Sequence, residues 1–171
     1  MTEIIAKLTA RPARRADAPA ITAIYNQGIE DRVGTFETEP RSVEQIEAWF
    51  DHAKAFVAVE DATGQLAGYA VAHPYADRCC YAGIGEFSVY VRREMRGAGV
   101  GRVAMTALVD AAREAGLWKL LSRVFPENRA SLNLMAWSGF KAIGVHEKHG
   151  KLDGVWRDCV IVERLLPENI D

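Results

Sequence analysis

Apolar residues recur along this chain with two periods, and the switches between them mark its elements. A short strand is expected near Lys7 to Arg11. The segment Arg14-Arg15-Ala16-Asp17-Ala18-Pro19 then reads as a loop entering a helix capped by Asp17, on which Ile21, Ile24, Tyr25 and Gly28 or Ile29 keep helical spacing. Ser42-Val43-Glu44-Gln45 is a capping box and predicts a second helix over about Val43 to Ala53. Between these helices Asp31 to Arg41 has no period, and a long unpatterned loop in a compact domain is often functional. Phe56 to Glu60, the turn Asp61-Ala62-Thr63-Gly64, and Leu66 to Ala72 read as a hairpin. Glu86 to Val91 has the β-branched and aromatic content of a further strand, and Gly101 to Ala115 the Ala, Leu and Met content of a long helix stopped at Gly116. Lys119 to Val124 reads as a strand, Asn128 to Trp137 as a short helix, and Ala142 to His149 and Val155 to Leu165 as two closing strands. The order predicts an α/β fold with a mixed, mostly antiparallel central sheet flanked by helices.

Between strand and long helix lies Arg96-Gly97-Ala98-Gly99-Val100-Gly101. Glycines there leave successive backbone N–H groups uncovered, and the helix adds its positive end at the same point, which suits phosphate oxygens. A tight turn alone would need the same glycines, so context decides. A Rossmann loop would come early, with an acidic residue about twenty positions on. A P-loop would continue Gly-Lys-Ser/Thr, where this chain has Gly101-Arg102-Val103. Both readings fail.

With 171 residues and 49% hydrophobic content, the chain is expected to form one compact domain over residues 1–171. A net charge of −2 with 26% charged residues offers no broad basic field for nucleic acid. The apolar stretches fall far short of a membrane span and the N-terminus lacks a signal-type apolar core, so a cytoplasmic protein without membrane partners is expected. Three cysteines, Cys79, Cys80 and Cys159, do not form a secreted disulfide framework and are expected to be reduced. No His or Cys at zinc-finger spacing flanks the adjacent pair, which reads as packing and loop positions, and no metal is expected.

Arg96, Gly99 and Gly101 match Gln/Arg-x-x-Gly-x-Gly/Ala, so the loop resembles the acetyl-CoA signature of the GNAT N-acetyltransferase superfamily. The order of elements resembles the GNAT fold over nearly the full chain, and that resemblance implies a strand splayed from its neighbour. It implies that Arg96, Gly97, Ala98, Gly99, Val100, Gly101 and Arg102 bind the CoA pyrophosphate, that Val89, Tyr90 and Val91 pair with the pantetheine through their backbone, and that the Val91 region supplies an oxyanion donor. Ile24-Tyr25-Asn26, the loop Thr35 to Pro40 and Gly154-Val155-Trp156-Arg157-Asp158 look like the phosphinothricin N-acetyltransferase branch. Ser122 to Asn128 and His146 to Gly154 look like its arsinothricin-type members.

Acetyl transfer to an amine needs a neutral nitrogen, a polarised thioester carbonyl and a route for the amine's proton. Glu86, flanked by Gly85 and Phe87 in an apolar setting, is the candidate base, because burial raises a carboxyl pKa toward the useful range. The branch resemblance implies the same role, and the bland reading is a Glu paired with a nearby Arg. Asn128 matches the family Asn on the pantetheine arm and reads equally as an N-cap. Seven residues on, where relatives carry Tyr or His as acid, stands Met135, so the thiolate, with a pKa near ~8.5, is left to water or another group.

For the acceptor, Tyr75, Ala76, Asp77 and Arg78 lie where the branch resemblance implies substrate contact. A guanidinium holds carboxylate, phosphinate or arsonate bidentately, so Arg78 is the first choice for an anion, ahead of Arg32, Arg41 and Arg157, and a solvated loop Arg is the plain alternative. Phe36 and Tyr75 are candidates for an apolar wall or for core. The resemblance implies N-acetylation of the α-amine of a small anionic amino acid, namely phosphinothricin, arsinothricin or methionine sulfoximine, by a homodimer conferring resistance. A peptide or protein N-acetyltransferase and a non-catalytic acetyl-CoA sensor are the alternatives, the last encouraged by Met135 and opposed by Glu86.

Overall fold

The computed structural model describes residues 7–170. Seven strands form one sheet: β1 (Thr9–Pro12), β2 (Ala55–Glu60), β3 (Leu66–Pro74), β4 (Ile84–Val91), β5 (Lys119–Val124), β6 (Lys141–Leu152) and β7 (Val155–Leu165). Their spatial order is β1-β2-β3-β4-β5-β7-β6, and every pairing is antiparallel except β4 with β5. The helices are α1 (Ala18–Glu30), α2 (Val43–Glu47), α3 (Val100–Glu114) and α4 (Arg129–Trp137). Among the described residues no helix is long and apolar enough to cross a membrane.

Alternation along the central strands sends side chains to two cores. On one face α3 buries Val100, Ala104, Met105, Leu108, Val109 and Ala112 at helical spacing against Ala70, Ala72, Phe87 and Leu120. On the other, α1 buries Ile21, Ile24, Tyr25 and Ile29 against Ala58, Tyr69 and Val71. At Gly28 the helix has no side chain because the Tyr90 ring occupies the place: a Cβ there would stand 2.5 Å from Cε1 of Tyr90. Tyr90 stacks on Tyr69 with ring centroids 5.8 Å apart and meets Tyr25 edge-on at 5.0 Å.

Two local expectations come out differently. Asp17 does not cap α1 with its side chain; its carboxylate takes the Arg11 guanidinium at 2.7 and 2.8 Å and the Arg14 N–H at 2.7 Å, tying β1 to the helix entrance. The second helix keeps the Ser42/Gln45 capping box but stays α-helical only to Glu47, then tightens to a 3₁₀ turn over Ala48–Asp51. Its rings pack inward there: Phe50 stacks on Phe56 at 4.5 Å, and Trp49 meets Tyr25 at 5.4 Å and His73 at 5.2 Å.

Burial in that aromatic cluster, with His52 as a second cause, pushes the His73 pKa from the ordinary 6.5 down to about 4. The unfolded chain takes up a proton near 6.5 that the folded chain refuses until about 4, so stability present above that window is lost as pH falls through it. Discounted for the part of the ring that meets solvent, the loss should be on the order of 1–2 kcal/mol. His73→Gln should flatten it. Urea midpoints at about pH 7.5 and about pH 4.5 for the two proteins check this, and an equal decline in both would clear His73 of it.

Candidate active site

β4 and β5 pair only where Ile84, Gly85 and Glu86 face Lys119, Leu120 and Leu121. Beyond that point each strand follows its other neighbour. β4 stays in register with β3 as far as Val91 opposite Gly68, while β5 stays with β7 as far as Val124 opposite Val160. The sheet therefore opens between them, and among the described residues no strand pairs with the β4 backbone on that side from Phe87 onward, as the fold resemblance implies. A cavity of about 380 Å³ follows the opening, lined by Val89, Tyr90 and Val91, by Gly97, Gly99 and Gly101, and by Asn128 and Met135 from the far side.

The glycine loop closes one end of this cavity. Gly97 and Gly99 have φ of 81° and 86°, in the left-handed region where a Cβ is strained. Gly99 is also the N-cap of α3 and brings no side chain to cap it. The N–H groups of Gly97, Gly99, Val100 and Gly101 donate to no backbone carbonyl among the described residues, so they are open to an anion at the helix's positive end. At Gly101 the missing Cβ has a second use, since it would stand 2.9 Å from a methyl of Leu134 on α4. Arg96 lines the cavity, and its guanidinium pairs with Asp31 at 2.6 Å, fastening the loop to the end of α1. Arg102 turns aside and lies over the Trp137 ring at 4.8 Å.

Asn128 is the N-cap that one of its two readings expects, and it lines the cavity. As N-cap of α4 it accepts from the Ser131 N–H at 3.1 Å, while its own amide donates to the Val33 carbonyl at 3.0 Å across the cavity it lines. Met135 is 2% exposed and offers no proton.

A second cavity of about 290 Å³ lies on the α1 side and shares Phe87, Ser88, Tyr90, Ser122 and Arg123 with the first. Glu86 stands in its wall with Thr35, Trp49 and His73. Its setting is not the apolar one expected. Its side chain is 34% exposed, and a carboxylate oxygen forms an ion pair with the Arg123 guanidinium at 2.6 Å. His73 faces Glu86 directly across β3 and β4, so both side chains lie on one face, as does Arg123, two residues beyond Leu121 on β5.

His73 is signalled by no motif, and Arg123 only as a member of the stretch Ser122 to Asn128, which gives it no role. Leu120 belongs to the α3 core, so alternation alone would turn Leu121 and Arg123 to the opposite face; the missing datum is that β5 lies beside β4. Tyr75, Ala76, Asp77 and Arg78 line neither cavity. Arg78 is exposed and lies over the Tyr81 ring at 5.8 Å, and Tyr75 meets that ring edge-on at 5.7 Å. Phe36 packs on Phe125 at 4.9 Å, in a cluster with Leu152 and Cys159. Arg32 pairs with Asp153 at 3.0 Å, Arg41 with Glu37 at 2.6 Å and Arg157 with Glu127 at 3.9 Å.

The family model described as an acetyltransferase (GNAT) domain matches residues 7–141. A phosphinothricin N-acetyltransferase of Alcaligenes faecalis is 37% identical over 165 residues, covering 92% of this chain and 82% of that one. An L-methionine sulfoximine/L-methionine sulfone acetyltransferase of Pseudomonas paraeruginosa is 32% identical over 158 residues, covering 90% and 91%. The crystal structure of a GNAT superfamily phosphinothricin acetyltransferase from Sinorhizobium meliloti in complex with AcCoA matches with a TM-score of 0.86 at 28% identity, over 93% of this chain and 88% of that one. A family match over most of the chain, agreeing with a sheet that parts beside an amide-lined glycine loop, means that the chain belongs to the GNAT acetyltransferase family and is an N-acetyltransferase using acetyl-CoA.

Proposed function

We propose that this protein acetylates the α-amine of a small anionic amino acid of the phosphinothricin, arsinothricin or methionine sulfoximine kind, and so removes the charge by which the compound acts. The observation that carries this reading is the junction of the two cavities, with Glu86 in the wall of the smaller one where β4 and β5 part. The names of the two relatives support the acceptor class. The three free cysteines support a reducing, cytoplasmic setting, and the exposed Ile143, Val145, Val155 and Trp156 on the β6–β7 hairpin support a homodimer.

Acetyl-CoA supplies an acetyl group on a thioester, which passes to nitrogen as the C–S bond breaks and the thiolate leaves. The open N–H groups from Gly97 to Gly101 hold the pyrophosphate without paying for desolvated side chains. The free backbone edge at Val89, Tyr90 and Val91 holds the arm and offers an N–H to the thioester oxygen. Asn128, already bonded at both ends of its amide, fixes the wall opposite that edge. Glu86 accepts the proton that the amine loses, directly or through water. Ser88, Ser122 and Ser131 line the cavity, and with Met135 in the place of an acid the thiolate is left to water or another group.

The deciding experiment is acetyl-CoA consumption with phosphinothricin, arsinothricin and methionine sulfoximine beside peptides of free N-terminus. Turnover with the amino acids and not the peptides is expected; the reverse would establish a peptide N-acetyltransferase, and binding without turnover a sensor. Glu86→Gln should lower kcat by a factor on the order of 10² to 10⁴ with CoA affinity nearly intact, and wild-type turnover at neutral pH would dismiss the base. Gly99→Ala should weaken CoA binding about tenfold by straining a φ of 86°. Calorimetry showing unchanged affinity in the folded variant would remove the loop from the cofactor site.

A further inference from the structure

The ion pair between Glu86 and Arg123 stands where the acceptor's amine has to arrive. A base already paired with a guanidinium is freed more fully for an incoming amine when the guanidinium is given another anion in exchange. A guanidinium deprived of its carboxylate loses a charge-assisted contact that water, reaching a side chain 38% exposed, replaces only in part. A free α-amino acid carries its own solution, because ammonium and carboxylate sit on one carbon. Inserted between the two side chains, it gives Glu86 a cation and Arg123 an anion, and every charge keeps a partner.

We propose that Arg123 binds the acceptor's α-carboxylate by exchanging Glu86 for it, and is thereby the residue that restricts this enzyme to free α-amino acids. The proposal rests on the functional reading above and adds the group by which the acceptor is recognised. The surroundings support the exchange. Arg123 and Glu86 are 38% and 34% exposed, so both are reachable from the cavity. Ser88 and Ser122 line the same junction and leave room beside the pair, and Tyr25, Trp49 and Tyr90 wall the side where an amino acid's carbon chain would run. The other arginines weighed for an anion are engaged elsewhere: Arg32, Arg41 and Arg157 with acids outside this cavity, and Arg78 over Tyr81. A carboxamide or a simple amine gives Arg123 no anion. The α-amine of a peptide's first residue meets the same obstacle, since its carboxylate has become an amide.

The test compares an amino acid that the wild type acetylates with its own α-carboxamide, in wild type, Arg123→Gln and Arg123→Lys. Wild type should favour the free acid by about 10² or more in kcat/KM, mostly through KM, as a charge-assisted bidentate contact allows. Arg123→Gln should compress that ratio to within about threefold, and Arg123→Lys should restore part of it. The ratio cancels any change the substitution makes to Glu86 itself, which would lower both substrates together. An undiminished ratio in Arg123→Gln overturns the proposal, as does a wild type that acetylates acid and amide alike. Should wild type acetylate no amino acid, the functional reading fails, and calorimetric titration with phosphinothricin decides Arg123 separately. Heat in wild type that is missing in Arg123→Gln keeps the assignment, and no heat in wild type overturns it.

Discussion

The molecule depends on a competition between strand neighbours. β4 and β5 share three paired positions and then obey different partners, β3 on one side and β7 on the other. A parallel ladder of three pairs is a weak bond beside the long antiparallel ladders pulling it apart. A sheet interior normally has no free backbone edge, because an unpaired N–H or C=O away from water is costly. Here the edge opens into a cavity large enough for a ligand to take the place of the missing strand.

The sites on the two sides of this opening differ in kind. On the α3 side the contacts are backbone amides, supplied by glycines whose lack of a side chain is their contribution, and they suit a ligand that is the same in every turnover. On the α1 side the contacts are side chains from three strands and two helical segments, Glu86, Arg123, His73, Tyr25 and Trp49. Side chains are exchanged by point substitution without disturbing the sheet, so on this side a preference can change while the fold stays the same. Asp31 and Val33 join the sides, since the first holds Arg96 of the glycine loop and the second holds Asn128.

Much of the fold was legible in the sequence because it is local. Lys119 to Val124 and Val155 to Leu165 come out as strands with the expected bounds, and the long helix and Asn128-capped helix within a residue of them. The glycine loop was legible for the same reason: its consequence, uncovered amides before a helix, is a property of six consecutive residues. The Glu86–Arg123 pair was not, because thirty-odd residues separate its members and only the placement of β5 beside β4 joins them. His73 was hidden likewise, since its proximity to Glu86 depends on strand register and its burial on Trp49 arriving from a 3₁₀ turn. Arg78 and Phe36 stood out by residue type and loop position, yet neither lines a cavity: Arg78 lies over Tyr81, and Phe36 packs behind Phe125, which does line the larger one.

Gly28 belongs to no motif, yet it sets how closely α1 approaches the wall that both cavities share. Its bare Cα lets the Tyr90 ring lie against the helix, and Tyr90 is a wall common to both cavities. A Cβ there would stand 2.5 Å from Cε1 of Tyr90, so either that ring or α1, with Tyr25 on it, would have to move. The width of the smaller cavity thus depends on the bare Cα of Gly28, three residues along the helix from the Tyr25 that also lines it.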